Sequence, residues 1–263
     1  MLNVFAAAAK LTTLQISRGA RKWGTLMAFM VPVAYAALAR AFPPHIKLEG
    51  YAGFVTAVYT SLLVPFIGVF WGTTLLADDI QAKTLVYLWT RPTSRVGLFL
   101  AKFLVMGIWL VVLLSVSLAA VFAITYHKDG FAEVRENAMM LVWDIRALAL
   151  GGVTYAALAY LLATIFKKPL IIGLIYVFTA DEFAWFLPGF LKRFSIRHHV
   201  YVLSSHPDQG KPTGTLEFLA QHDTTELQAW VTLLVATVVL LLLASLVLRN
   251  REFLAEDTAR ATA

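Results

Sequence analysis

Apolar runs of about 20 residues recur along this chain, and that is the length an α-helix needs to cross a hydrocarbon core of ~30 Å. Six can be drawn, at residues 23–41, 51–77, 98–126, 147–166, 170–187 and 229–248. Charged residues make up only 14% of the chain, against about 25% in soluble domains. A membrane β-barrel would instead show alternating segments of about ten residues, and none dominate. The expected fold is therefore an all-α polytopic membrane protein: one domain over residues 1–263, six transmembrane helices, and no fixed-period repeat or low-complexity tract.

An even number of spans puts both termini on the same side. With the N-terminus inside, 13 of the 22 Lys and Arg residues fall in inner segments, among them Lys83, Arg91, Arg95, Lys102, Lys167 and Lys168. Short inner loops and chain ends carry this bias, which is where basic residues orient spans. The net charge of +6 then reflects topology and contact with lipid, and nucleic acid is not an expected partner. The chain has no cysteine, which excludes disulfides, iron–sulfur clusters and thiolate metal sites.

Residues 1–22 suit an amphipathic helix at the inner interface, with Phe5, Leu11, Leu14 and Ile16 apolar and Lys10, Arg18, Arg21 and Lys22 basic. The competing reading is a signal peptide with Ala37-Leu38-Ala39 as its cleavage site. Residues 127–146 form a polar, partly helical outer connection. Residues 188–228 form a longer outer or re-entrant region punctuated by Pro188, Gly189, Pro207, Gly210, Pro212 and Gly214.

The segment 78–97 lies between spans two and three. Asp78-Asp79 suit a helix start, where acids favour the dipole. Leu85 and Leu88 share a face with Val86 and Trp89 nearby, and Pro92 ends the short helix by biasing Arg91 away from the α region. Arg95 and Lys102 bracket the entry of span three. A short surface helix with apolar anchors and flanking charge suits a groove on a partner. An ordinary inner loop with snorkelling basic residues is the plainer alternative.

Two stretches carry a family resemblance. Asp79-Ile80-Gln81-Ala82-Lys83-Thr84-Leu85, then Leu88-Trp89-Thr90-Arg91-Pro92-Thr93-Ser94-Arg95 and Ala101-Lys102, resemble the signature of ABC-2-type transporter permeases. Lys83 and Ala101 stand where that pattern has glycine. Glu182 to Gly189, with Ser195-Ile196-Arg197-His198-His199 following, is similar to the stretch after span five in a bacterial branch of the family. The resemblance implies a permease, with export the expected direction, in a bacterial inner membrane with both termini cytoplasmic. It also implies a homodimer working with two ATP-binding subunits, with residues 78–97 supplying a coupling helix that docks on the ATPase. Asp79, Thr84, Leu85, Tyr87, Leu88, Arg91, Pro92 and Arg95 are the candidate contacts. ATP and Mg would be bound by the partner, since G-x-x-x-x-G-K-[ST] is absent from this chain.

Asp181-Glu182 are the most unusual acids. Counting from Leu170, Asp181 lies about 16 Å along span five. Intramembrane acids mark pathways or pin helices; alternatively, span five ends early and the chain re-enters as short helices, as Pro188 and Gly189 suggest. All six histidines fall in outer segments, where surface positions are expected rather than a metal site. Gly68-x-x-x-Gly72, and Gly151, Gly152, Ala156 and Ala157 in span four, permit close helix approach with no partner assigned. Trp23, Tyr126, Trp143 and Trp230 suit an interfacial belt. A lipid-active membrane enzyme and a non-transporting anchor are the alternative functions. Neither G-x-S-x-G nor H-E-x-x-H occurs, and the substrate is not legible.

Overall fold

The computed structural model describes residues 2–17, 20–42, 50–81, 95–126, 131–181, 189–204 and 224–250. These residues are almost all helical, with no strand among them. The α-helices are α1 (Leu2–Ser17), α2 (Ala20–Ala41), α3 (Gly50–Phe54), α4 (Val64–Gln81), α5 (Arg95–Tyr126), α6 (Phe131–Glu136), α7 (Ala138–Ile165), α8 (Pro169–Ile175), α9 (Ile196–Leu203) and α10 (Glu226–Asn250). A π-helical stretch, Val55–Leu63, joins α3 to α4 in one continuous helix. A second, Tyr176–Asp181, extends α8, and a 3₁₀ turn, Gly189–Phe194, precedes α9.

Five helices are long and apolar enough to span a membrane: Lys22–Ala41, Gly50–Leu76, Val96–Tyr126, Ala138–Ile165 and Glu226–Asn250. Four of them match expected spans within three residues at each end. The expected span at 170–187 appears as a shorter apolar helix, Pro169–Asp181, and residues 182–188 lie outside the described residues. The start of span four is a correction. Helix α7 begins at Ala138 rather than 147, because Asp144 is fully buried and Arg146 lies 4.4 Å from the Trp143 ring and 5.2 Å from the Trp230 ring. Charges that read as a loop are housed in a helix by cation–π stacking and burial.

Local chemistry sets the helix ends. Pro169 opens α8, where its missing N–H costs nothing. A capping box opens α10: the Gln228 N–H donates to Thr225 Oγ1 at 3.3 Å, and the Thr225 N–H donates to Gln228 Oε1 at 3.2 Å. Within the spans, Thr73, Thr74, Ser115, Thr125 and Thr154 donate their hydroxyls to carbonyls one turn back, so no hydroxyl of this group needs water.

The centre of the bundle is the pairing of α4 with α7. A Cβ on Gly68 would lie 2.7 Å from Tyr155 Cβ, and one on Gly72 would lie 2.6 Å from the Ala156 carbonyl oxygen. The two small-residue stripes of the sequence therefore face each other, and dispersion between close backbones replaces the hydrophobic drive that lipid cannot supply. Helix α10 packs on α7 through Ala229, Leu233, Thr237, Ala244 and Leu248, a single stripe. Leu104, Ile108, Val112 and Val116, spaced by four on α5, form an exposed apolar stripe suited to lipid.

Helix α1 lies against α5. Thr12 and Ile16 are buried, while Lys10 and Leu11 are exposed. The Trp109 indole donates to Thr13 Oγ1 at 3.2 Å and Lys102 Nζ donates to Gln15 Oε1 at 3.4 Å. Lys102, read from sequence as an interfacial residue, is 5% exposed because α1 covers it.

Candidate functional site

The residues nearest the expected ATPase contact fall at two helix ends. Asp79 is in the last turn of α4 and Arg95 is the first residue of α5. Thr84, Leu85, Tyr87, Leu88, Arg91 and Pro92 lie outside the described residues. One expectation is corrected here: Asp78 and Asp79 do not start a new helix, because α4 runs through them to Gln81. They sit where the helix dipole disfavours acids, so a dipole cap does not explain their presence.

The described residues converge instead on Asp181. The π-helical turn Tyr176–Asp181 ends the α8 helix with this carboxylate 2% exposed. Its Oδ1 accepts the Ile196 N–H at 3.0 Å, and its Oδ2 accepts the Tyr155 hydroxyl. Ser195, the N-cap of α9, accepts the His198 N–H at 3.1 Å. The carboxylate thus lies against the positive end of α9 and satisfies one of its orphan donors, offsetting part of the cost of burying a charge. Glu182 lies outside the described residues.

Arg197, the next residue of α9, reaches a different helix. Its Nη2 donates to Ser61 Oγ at 2.5 Å, and the Ser61 hydroxyl donates to the Thr56 carbonyl at 2.9 Å. Thr56 is five residues back, the spacing of the π-helical ladder. Two residues earlier on the same stretch, Tyr59 is bonded to Ser117 Oγ at 2.8 Å. Ser117 gives its single hydroxyl proton to the Phe29 carbonyl at 2.8 Å, so Tyr59 is the donor to Ser117. The π-helical stretch of span two is therefore tied to α2, α5 and α9.

Helix α9 also packs on α7 and α10. Gly151 leaves room for Val200, whose methyl occupies the place of a glycine Cβ. Thr154 Oγ1 and Thr237 Oγ1, 2.9 Å apart, join α7 to α10 beside it. The two adjacent histidines correct the surface expectation: His198 is 9% and His199 3% exposed, with ring centroids 5.5 Å apart. His199 Nε2 donates to the Arg193 carbonyl at 2.8 Å, and His198 Nε2 lies 3.0 Å from Thr224 Oγ1. Packing against α7 and α10 covers a helix only eight residues long on most sides, so two adjacent ring positions are both enclosed. His45, His127, His206 and His222 lie outside the described residues. No three His, Asp or Glu side chains come together as metal ligands among the described residues.

Burial pushes the His198 imidazole down to about 4, with His199, Lys192 and Arg193 adding to the same direction, and burial lowers His199 as well. An unfolded histidine titrates near ~6.5. With the folded value depressed, protonation favours the loosened state, so the seating of α9 is complete above pH ~6.5 and is lost as pH falls towards 4. Thermal melting in detergent between pH 7.5 and 4.5 is expected to show this acid loss, and His198→Gln to reduce it. Equal acid sensitivity in the two proteins contradicts the assignment.

Sequence reasoning missed Asp144, which is 0% exposed on α7 beside Tyr51 of α3. The Tyr51 ring packs edge-on against Phe122 at 5.2 Å, with Tyr126 also adjacent at 6.0 Å. The signal was the pair Phe122 and Tyr126, four apart in the last turns of α5, which marks an aromatic seat for a residue of a neighbouring helix.

The comparisons with known proteins bear on residues 21–180. No curated protein matches the chain. A family model described as "ABC-2 family transporter protein" matches residues 21–180, from the first turn of α2 into the π-helical turn, ending one residue before Asp181. That range contains four of the five long apolar helices and the segment that resembled the permease signature. The match covers more than half of the chain, which therefore belongs to the ABC-2 family of transporter proteins.

Proposed function

We propose that this chain is the membrane-spanning permease subunit of an ABC transporter, coupling ATP hydrolysis by a separate subunit to export of a substrate. The observation that carries this reading is the family match over residues 21–180, which includes residues 78–97, from the last turn of α4 to the first turn of α5. Two copies of the chain would pair with two ATP-binding subunits in a bacterial inner membrane, both termini cytoplasmic. ATP and Mg would sit on the partner, and the coupling segment would dock through Leu85 and Leu88, with Asp79, Thr84, Tyr87, Arg91, Pro92 and Arg95 around them.

The bundle supports such a role mechanically. Helix α4 carries Asp79 in its last turn and is locked to α7 through Gly68 and Gly72. A push at the inner end of α4 therefore moves two spans together. The test is gentle solubilisation of the tagged chain, followed by mass spectrometry and an ATPase assay of the eluate. A stoichiometric ATP-binding partner with Mg-ATP hydrolysis is expected. A folded, monodisperse chain that recovers no such partner overturns the reading.

A further inference from the structure

Two of the polar contacts of helix α9 join it to different parts of the bundle. The first is Asp181, which binds the Ile196 N–H and the Tyr155 hydroxyl of α7. The second is Arg197, which binds Ser61 of span two. The second anchor stands on the π-helical stretch Val55–Leu63, between the α-helical Gly50–Phe54 and Val64–Gln81. A π-helical turn holds one extra residue per turn relative to an α-helix, and such turns occur mostly as short insertions, often at functional sites. Its tightening to α-helical geometry would rotate the residues on one side of it relative to those on the other. Ser61 lies within this stretch, with its hydroxyl on the carbonyl five residues back, so its direction depends on the π-helical register.

The surroundings make the stretch a joint. On its inner side, α4 is clamped to α7 by the backbone contacts at Gly68 and Gly72. Within it, Tyr59 is tied through Ser117 to the Phe29 carbonyl of α2. Displacement of α4 relative to α2 and α5, which it touches little, therefore falls on residues 55–63, where Arg197 is attached.

We propose that Ser61 and Arg197 form a latch between span two and the outer helix α9, closed here and released when the π-helical stretch changes register as α4 moves. The latch makes the seating of α9 depend on the position of span two. Asp181 keeps the helix attached to α7 when the latch opens, so release loosens α9 without unfolding it. This inference rests on the coupling reading only for the force that drives α4; the latch itself rests on the Arg197–Ser61 geometry.

The absence of cysteine from the chain allows single-cysteine labelling without background changes. Val202→Cys, on the half-exposed side of α9, reports its seating, and Leu227→Cys, 73% exposed on α10, reports reagent access at a position already open. In the nucleotide-free full complex, Ser61→Ala is expected to raise the maleimide labelling rate at position 202 roughly tenfold, the factor set by loss of one hydrogen bond to a charged group. The rate at position 227 is expected to stay unchanged, and Ser61→Thr, which keeps the hydroxyl, to restore the slow rate at 202. Trapping the partner ATPase with Mg-ATP and vanadate is expected to raise the rate at 202 in the parent and add little in Ser61→Ala.

Equal nucleotide-free rates at 202 in the parent and Ser61→Ala overturn the latch, as does equal acceleration at 202 and 227. An ATPase that copurifies and hydrolyses ATP while the parent rate at 202 does not change on trapping overturns the link to span two. Failure to recover any ATPase overturns the functional reading instead, and the nucleotide-free comparison still decides whether Ser61 holds α9.

Discussion

Gly72→Leu is expected to separate span two from span four and to prevent recovery of a monodisperse, cooperatively melting protein. A Cβ at Gly72 would stand 2.6 Å from the Ala156 carbonyl oxygen and 2.6 Å from Ala159 Cβ. Both neighbours are backbone or the first carbon of a side chain, and neither has a rotamer that moves it away. The clash therefore has to be relieved by shifting α4 off α7, across the central pairing of the bundle. Overpacking of this kind costs about 3 kcal/mol, and in lipid no hydrophobic gain between the helices offsets it. Gly107→Ala is the matched control, because the nearest atom to a Cβ there is Val153 Cγ2 at 3.9 Å. Size-exclusion profiles and thermal melts in detergent read the difference. A Gly72→Leu protein that melts like the parent would show that α4 and α7 do not pack as described.

Asp181→Ala has the second largest expected effect. It removes the acceptor of the Ile196 N–H and of the Tyr155 hydroxyl, both at buried positions. Each donor left without an acceptor costs about 1–3 kcal/mol, so a loss of about 3 kcal/mol in the seating of α9 is expected. Hydrogen exchange over residues 196–203 measures it, with faster exchange confined to α9 and its contacts on α7. Asp181→Asn retains one carbonyl acceptor but turns an amide donor towards the other donor, and should fall between the two. Parent-like protection of residues 196–203 in Asp181→Ala would remove Asp181 from its place as the anchor.

The span pattern was readable because it depends only on the length of apolar runs. Residues 22–41, 50–76, 96–126 and 226–250 follow it closely. The start of span four was not readable, since Asp144 and Arg146 look like loop residues until Tyr51, Trp143 and Trp230 are brought around them. The glycine stripes at 68–72 and 151–157 were visible as small-residue patterns, but which stripe meets which is a tertiary fact carried by no local period.

The candidate site divides in the same way. Asp181 stood out because a carboxylate that far along an apolar run is costly. Its partners did not, because Tyr155 is 26 positions away and Ile196 is 15. The burial of His198 and His199 was equally hidden, since α7 and α10 come over α9 from distant parts of the chain and cover polar positions that a local pattern reads as wet. Ser61 and Arg197 are separated by 136 positions, and no helical period links them. The segment 78–97 was the reverse case: its motif is local and legible, and the contacts proposed for it lie on a second protein.

The central claim is that this chain meets an ATP-binding subunit through the segment after span two. Its most direct test is copurification of that subunit with the parent chain and with the double variant Leu85→Glu, Leu88→Glu, each checked for membrane insertion. The account predicts loss of the ATP-binding subunit and its ATP hydrolysis from the variant, with insertion and melting unchanged. An ATP-binding subunit that stays bound to the double variant at the parent's stoichiometry would contradict it.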